Sequence, residues 1–271
     1  MLLGYDTNGL QNHRLEDALR LLAAHGYQAV SLTPDVMHLD PYRASPAEVE
    51  RIATLLAELR LTPVVTTGAR FLLDPGMKHE PTLMTRGEDR RAIRLDFYRR
   101  CAELGKALRA KVLSFWSGID RSPGPDSLEW LVAGIRATCA IVRERGLVPA
   151  LEPEPGMAIA TLADYDKVRT AVGKEAPRLC LDVGHLHVLD EGDPVERIEQ
   201  WSGELALVQI SDMQRGVHEH LLPGQGCVNF QEALAALDRV GYAGPLCFEL
   251  SRSSHVAPEA VALCQRVFLQ R

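Results

Sequence analysis

No apolar run in this 271-residue chain approaches the roughly 20 consecutive residues that a membrane-spanning helix requires. The N-terminal stretch Met1-Leu2-Leu3-Gly4-Tyr5-Asp6 reaches an acid too early to form the hydrophobic region of a secretion signal. Both absences point to a cytoplasmic protein with no membrane partner. A basic excess is missing as well: 36 acidic residues outnumber 30 basic ones, for a formal charge of −6. Domains that grip nucleic acid by bulk electrostatics usually carry a basic face or a pI above about 9, so no nucleic-acid partner is expected, although a local basic pocket stays open. The six cysteines (101, 139, 180, 227, 247 and 264) include no Cys-x-x-Cys pair, which removes the simplest zinc and dithiol signatures. Scattered through apolar segments, they read as buried free thiols. Internal repeats and low-complexity tracts are also lacking.

What is present is a large apolar fraction, 46%, in a chain long enough for one substantial core. A single α/β barrel commonly needs about 250 residues, so residues 1–271 are expected to form one domain. Short apolar runs at Leu2–Tyr5, Ala29–Leu32, Pro63–Thr67, Lys111–Trp116, Leu147–Leu151, Leu179–Leu181, Leu205–Ile210 and Leu246–Phe248 read as strands. Stripes with helical spacing separate them, including Leu15, Ala18, Leu19 and Leu22, then Ile93, Phe97, Cys101 and Leu104, then Leu128, Leu131, Ile135, Cys139 and Val142. Ser45-Pro46 carries the N-cap and first-turn signature of one such helix. Eight strands alternating with helices predict a closed parallel (β/α)8 TIM barrel, because parallel neighbours need crossover helices. Two long segments, Gly68 to about Arg86 and Ser211 to Asn229, read as loops of the kind that carry function.

Three of the strand runs end in acids: Leu151-Glu152, Leu181-Asp182 and Phe248-Glu249. Any one of these would pass for a helix cap or a salt bridge. Together, at the end of a barrel where ligands bind, they predict carboxylates sharing a small volume, where only protons or a cation can relieve their repulsion. Oxygen-rich sites suit Mg²⁺ or Mn²⁺. Glu154 reads as an alternative ligand, a supporting acid or a solvated carboxylate. His185 lies three residues past Asp182, within reach of a turn that folds back over the site. His218-Glu219-His220, if extended, places both imidazoles on one face, where they could bind a metal. Pro223-Gly224-Gln225-Gly226 reads as a turn whose amides could cradle an anion. On the expected ligand side, His38, Arg70, Lys78, His79 and Trp116 form a rim for substrate contact, with Trp116 as a stacking wall.

In order and spacing, Leu-Glu-Pro-Glu-Pro-Gly (151–156), Leu-Asp-Val-Gly-His (181–185), Val-Gln-Ile-Ser-Asp (208–212), His-Glu-His-Leu (218–221), Pro-Gly-Gln-Gly (223–226) and Phe-Glu-Leu (248–250) resemble the sugar phosphate isomerase/epimerase family with its xylose isomerase-like barrel. Apurinic endonucleases of the endonuclease IV type are more distant relatives. The resemblance implies one divalent metal ion held by Glu152, Asp182, Gln209 and Glu249, with His185 on the substrate side. Gln209 departs from the pattern, since family members usually carry His there. A neutral amide oxygen is a harder and weaker donor than imidazole, which favours Mn²⁺ or Mg²⁺ over Zn²⁺. The alternatives are a lost metal, or His220 standing in for the missing imidazole.

The implied activity is isomerisation or epimerisation of a small sugar, sugar phosphate or related polyol-derived carbonyl compound. Glu152 and Glu249 would exchange the proton of a metal-stabilised enediolate, with His185, His218, Trp116, Arg70, His79 and Glu154 contacting the substrate. An endonuclease IV-like phosphodiesterase and a non-catalytic sugar-binding barrel remain as alternatives, and a homo-oligomer stays open.

Overall fold

A computed structural model describes residues 1–270. In chain order the strands are β1 (Leu2–Asp6), β2 (Ala29–Leu32), β3 (Thr62–Thr66), β4 (Val112–Trp116), β5 (Val148–Glu152), β6 (Arg178–Asp182), β7 (Leu205–Ile210), β8 (Asp212–Gln214), β9 (Val217–Leu221) and β10 (Pro245–Phe248). The order β1-β10-β7-β6-β5-β4-β3-β2 closes a barrel of parallel neighbours, and β8 pairs with β9 as a separate antiparallel hairpin. The apolar runs located the barrel strands to within a residue or so at each end. The hairpin was not anticipated and lies inside the segment read as loop from Ser211 to Asn229.

Helices α1 (Leu15–Ala24), α2 (Pro46–Glu58), α3 (Glu88–Ala107), α4 (Ser127–Glu144), α5 (Leu162–Val172), α6 (Val183–Val188), α7 (Pro194–Trp201), α8 (Phe230–Arg239) and α9 (Ala257–Leu269) fill the crossovers. Ser45 caps α2 as expected, its hydroxyl accepting from the Glu48 amide at 3.2 Å. Two expected stripe positions differ. Leu128 is 62% exposed, and in α3 the buried position belongs to Arg94 (0% exposed) rather than to Ile93 (37%).

Strand periodicity decides where the site lies. Alternate residues such as Leu3, Tyr5, Leu151, Leu181, Val208 and Phe248 join the large apolar layer shared with the helices. The residues between them turn into the barrel, where Val64, Val112, Ala150, Cys180, Leu207 and Cys247 form a second, smaller cluster. This interior is tight: a Cβ on Gly4 would sit 2.6 Å from Cys247 Sγ. Because side chains alternate with period two, the next inward residue along β5, β6, β7 and the end of β10 is Glu152, Asp182, Gln209 and Glu249. A polar ring therefore caps the apolar plug at the C-terminal mouth of the barrel.

Candidate active site

Glu152 (3% exposed), Asp182 (1%) and Gln209 (0%) sit at the floor of the mouth. A cavity of about 450 Å³ opens above them, lined by Glu152, Glu154, Glu249, Arg70, Lys78, His79, Trp116, His218 and His220. The structure thus brings most of the expected site residues together. His185 lies just beneath, buried, with Nδ1 against the Pro153 carbonyl (3.0 Å) and Nε2 3.1 Å from His218 Nε2. His38 belongs elsewhere: it lines a separate, smaller cavity and turns Nε2 to the His13 carbonyl at 2.9 Å.

The expectation that Gln209 supplies a metal donor is not met in this orientation. Its Oε1 accepts from Cys180 Sγ at 2.9 Å, and its Nε2 donates to Glu249 Oε2. The amide thus holds Glu249 rather than offering oxygen to the centre, because a carboxylate beside it accepts an N–H and repels a carbonyl. His220 is better placed. It sits on β9, hydrogen-bonded through Nδ1 to Ser211 Oγ (3.1 Å), and its donor atom lies within 4.8 Å of those of Asp182 and Glu249. Glu152, Asp182 and His185 form a second group within the same limit, and His185, His218 and His220 a third. The period-two reading of 218–220 holds, since Glu219 faces away and pairs with Arg252 at 2.8 Å.

Residues at the end of β1 and in the turn that follows it complete the ring and escaped the sequence reading. Asn8 Nδ2 donates to Glu249 Oε1 at 2.7 Å. Asp6, fully buried, accepts from Thr33 Oγ1 (2.6 Å), Ser31 Oγ (2.8 Å) and the Asn8 amide (2.9 Å). The signal was available, since Leu2-Leu3-Gly4-Tyr5-Asp6 is a fourth apolar run ending in an acid. The turn at 223–226 does cradle an anion, but an internal one: the amides of Gly224 (2.8 Å) and Gly226 (2.7 Å) donate to Asp212 Oδ2, and that of Val228 (3.0 Å) to Oδ1. The cysteines are free, as expected, and Cys227 is the exposed exception.

Crowding sets the electrostatics. Burial first, then the neighbouring acids Glu154, Glu249 and Asp182, push the Glu152 carboxyl well above the ordinary range. Glu249 is raised likewise by burial and then by Asp6 and Asp182. Burial and Glu249 lift Glu154 to about 8, while His220 opposes the rise. The His218 imidazole is driven down to about 3 by burial and then by His185 and His220. Asp182 Oδ1 accepts from the Gly184 amide at 2.7 Å, whereas the equally buried Oδ2 has no partner. Buried polar atoms without partners are costly, and clustered carboxylates repel. A divalent cation would relieve both costs, so the residues present fit a metal.

A family model described as the xylose isomerase-like TIM barrel matches residues 19–268. An inosose dehydratase from Geobacillus kaustophilus is 23% identical over 163 residues, covering 53% of this chain and 53% of that protein. The chain therefore aligns with about half the length of that curated relative. Among solved structures, a D-psicose 3-epimerase determined in the presence of D-fructose superposes with a TM-score of 0.79 at 15% identity, covering 100% of this chain and 98% of that one. The IOLI protein with a binding zinc atom gives a TM-score of 0.79 at 20% identity, covering 100% and 97%. The family model spans nearly the whole barrel, including Glu152, Asp182 and Glu249, and the chain belongs to the xylose isomerase-like TIM barrel family.

Proposed function

We propose that the chain is a metal-dependent enzyme that removes the proton beside a carbonyl group of a small sugar or polyol-derived substrate, acting as an isomerase or epimerase. The observation that carries this reading is the convergence of Glu152, Asp182 and Glu249 beneath an open cavity, with Asp182 Oδ2 buried and unpartnered. Glu152, Asp182, Glu249 and His220 would hold the ion. When bound, it would supply Lewis-acid stabilisation of negative charge on substrate oxygens.

The chain's own residues do the rest. In the ring order, β5 and β10 are separated by β6 and β7, so Glu152 and Glu249 approach a substrate in the mouth from different sides. Such a pair can take a proton on one face and return it on the other, a step typically worth about 10²–10⁴-fold for each positioned acid or base. Asn8 and Gln209 fix one oxygen each of Glu249 and so set the direction of its remaining lone pairs. Trp116 and His79, whose rings meet edge to face at 5.1 Å, wall one side against water.

The His185–His218 contact supports a second outcome of the same first step. Its two Nε2 atoms lie 3.1 Å apart, a hydrogen-bond distance that requires a proton on one of them, and that proton could pass to a hydroxyl leaving from the carbon next to the carbanion. That would make the reaction a dehydration, the activity named for the Geobacillus relative. Incubating metal-loaded protein with ketoses and inososes in D₂O separates the outcomes by mass spectrometry. Substrate carrying one deuterium supports isomerisation or epimerisation, and product lacking one water supports dehydration. Neither change in any compound refutes the reading.

A further inference from the structure

We propose that the wall of this cavity formed by Arg70 and Lys78 is a subsite for an anionic group, a carboxylate or a phosphate, carried by the substrate. The inference deepens the functional reading above and rests on it. It starts from the segment between β3 and α3, which contains no regular element and yet is firmly built. The His79 amide donates to the Arg70 carbonyl at 2.6 Å, which brings residues 70 and 78 to the same corner. Ala69 (φ 57°) and His79 (φ 67°) both occupy the left-handed region without being glycine. Such conformations persist only where the surroundings enforce them, and they cluster at functional sites. The enforcing group is Arg94, wholly buried under the segment, whose Nε and Nη2 donate to the carbonyls of Pro81 and His79, each at 2.7 Å.

Neither of the two cations so displayed is paired. Among the described residues, neither Arg70 nor Lys78 has an acidic partner within the 4.0 Å that defines an ion pair, whereas Arg252, the third cation of the cavity, is tied to Glu219 at 2.8 Å. Arg90 and Arg121 nearby are also paired, with Asp74 (2.8 Å) and Glu80 (3.2 Å). Arg70 is aimed as well as free: Nη1 donates to Gln11 Oε1, and Gln11 Nε2 is held by the carbonyls of Asn8 and Ser251. The other guanidinium donors are left for a ligand, in the fork geometry that suits carboxylate and phosphate.

His79 registers the resulting field. Its imidazole is depressed to about 4 by burial and then by Lys78, with Arg94 and Arg70 adding to the effect. The cavity is therefore anionic at its floor and cationic at this wall. A neutral sugar needs only hydrogen bonds, whereas two unpaired cations fixed on an enforced segment are matched by a substrate with a charged end. The competing explanation is that both cations merely offset the floor, since Arg70 also lowers Glu249 and Asp6, and Lys78 lowers Glu154.

Calorimetric titration of Mg²⁺-loaded protein with glucitol, gluconate and glucitol 6-phosphate tells these apart. The expected result is that at least one anionic polyol binds at least about ten-fold more tightly than glucitol. The arm that shows the preference identifies carboxylate or phosphate as the source. In Arg70→Gln/Lys78→Gln the ratio should fall to about three-fold or less, with melting temperature and metal stoichiometry retained as evidence of an intact pocket. Lys78→Gln alone, at an exposed position, should lower the ratio in the same direction. A wild-type ratio near one, or a preference that survives the double substitution because the anion sits on the metal, overturns the subsite. Glucitol binding without any preference removes the subsite and leaves the functional reading standing. Failure of all three polyols to bind removes the subsite, and the functional reading falls with it only where the ketoses and inososes also show no exchange.

Discussion

Asp182→Asn separates a structural role from metal binding at one atom. Asp182 Oδ1 caps α6 by accepting from the Gly184 amide at 2.7 Å, and asparagine keeps that acceptor. Oδ2, buried and without a partner, 3.8 Å from His185 Nε2, becomes an NH₂ group. In metal-free protein the substitution retains the cap and removes one charge from a crowd that already raises Glu152 and Glu249. Its stability should therefore stay within about 1 kcal/mol of wild type, or rise. Metal affinity should fall by at least about 100-fold, because loss of even an outer-shell partner costs roughly 10–100-fold. At a metal concentration about 100 times the wild-type Kd, binding stabilises the wild type by about 2.7 kcal/mol, and the weakened variant by about 0.4 kcal/mol. At roughly 2 °C per kcal/mol for a chain of this size, thermal unfolding should show a metal-induced shift of about 5 °C in wild type and under about 1 °C in the variant. An equal shift in both proteins would refute the assignment. So would a metal-free variant more than about 2 kcal/mol less stable, since Oδ2 would then be structural.

Gly4→Ala should destabilise the barrel by about 1–3 kcal/mol, because its Cβ would meet Cys247 Sγ at 2.6 Å. Denaturant unfolding of Gly4→Ala/Cys247→Ala should recover part of that loss, and strict additivity would place the strain elsewhere. Arg94→Met should speed hydrogen exchange in segment 68–86 and weaken substrate binding. Arg94→Lys should restore little, because one ammonium group cannot reproduce the two directed bonds to the Pro81 and His79 carbonyls; unchanged exchange would contradict that account. His79 supplies a pH test. Its folded pKa, depressed to about 4, lies below that of the unfolded chain, near 6.5, so the unfolded state binds the extra proton in this window. Its contribution is therefore intact above pH 7 and is lost as pH falls toward 4. Relative to His79→Gln, wild type should lose stability across that range, and parallel profiles would show that the imidazole is not held neutral.

Much of the fold was legible because buried parallel strands are short apolar runs, and each such run here coincides with a barrel strand. The acids were legible for the same reason: period two sends the residue after an apolar end into the mouth. Three features were not. Segment 212–221 is mostly polar, with Met213, Val217 and Leu221 as isolated apolar residues around Gly216, so its hairpin hid within an expected loop. Arg94 occupies a core position of α3 that a charge normally excludes, and the carbonyls that accept from its Nε and Nη2 belong to an irregular segment whose path the sequence pattern does not set. Gln209 sits where a ligand was expected, but which end of an amide faces a carboxylate depends on Cys180 and Glu249, residues that only the closed barrel brings together.

The central claim is metal-dependent proton abstraction by the ring acids. Its most direct test is deuterium transfer from D₂O into ketose and inosose substrates by Mn²⁺- or Mg²⁺-loaded protein, compared with chelator-treated protein and with Glu152→Gln. The account predicts metal-dependent incorporation at a carbon beside the carbonyl, or loss of water from the same adduct, with Glu152→Gln reduced by about 10² or more. Loaded protein that binds a polyol and yet leaves every carbon-bound proton in place would contradict it.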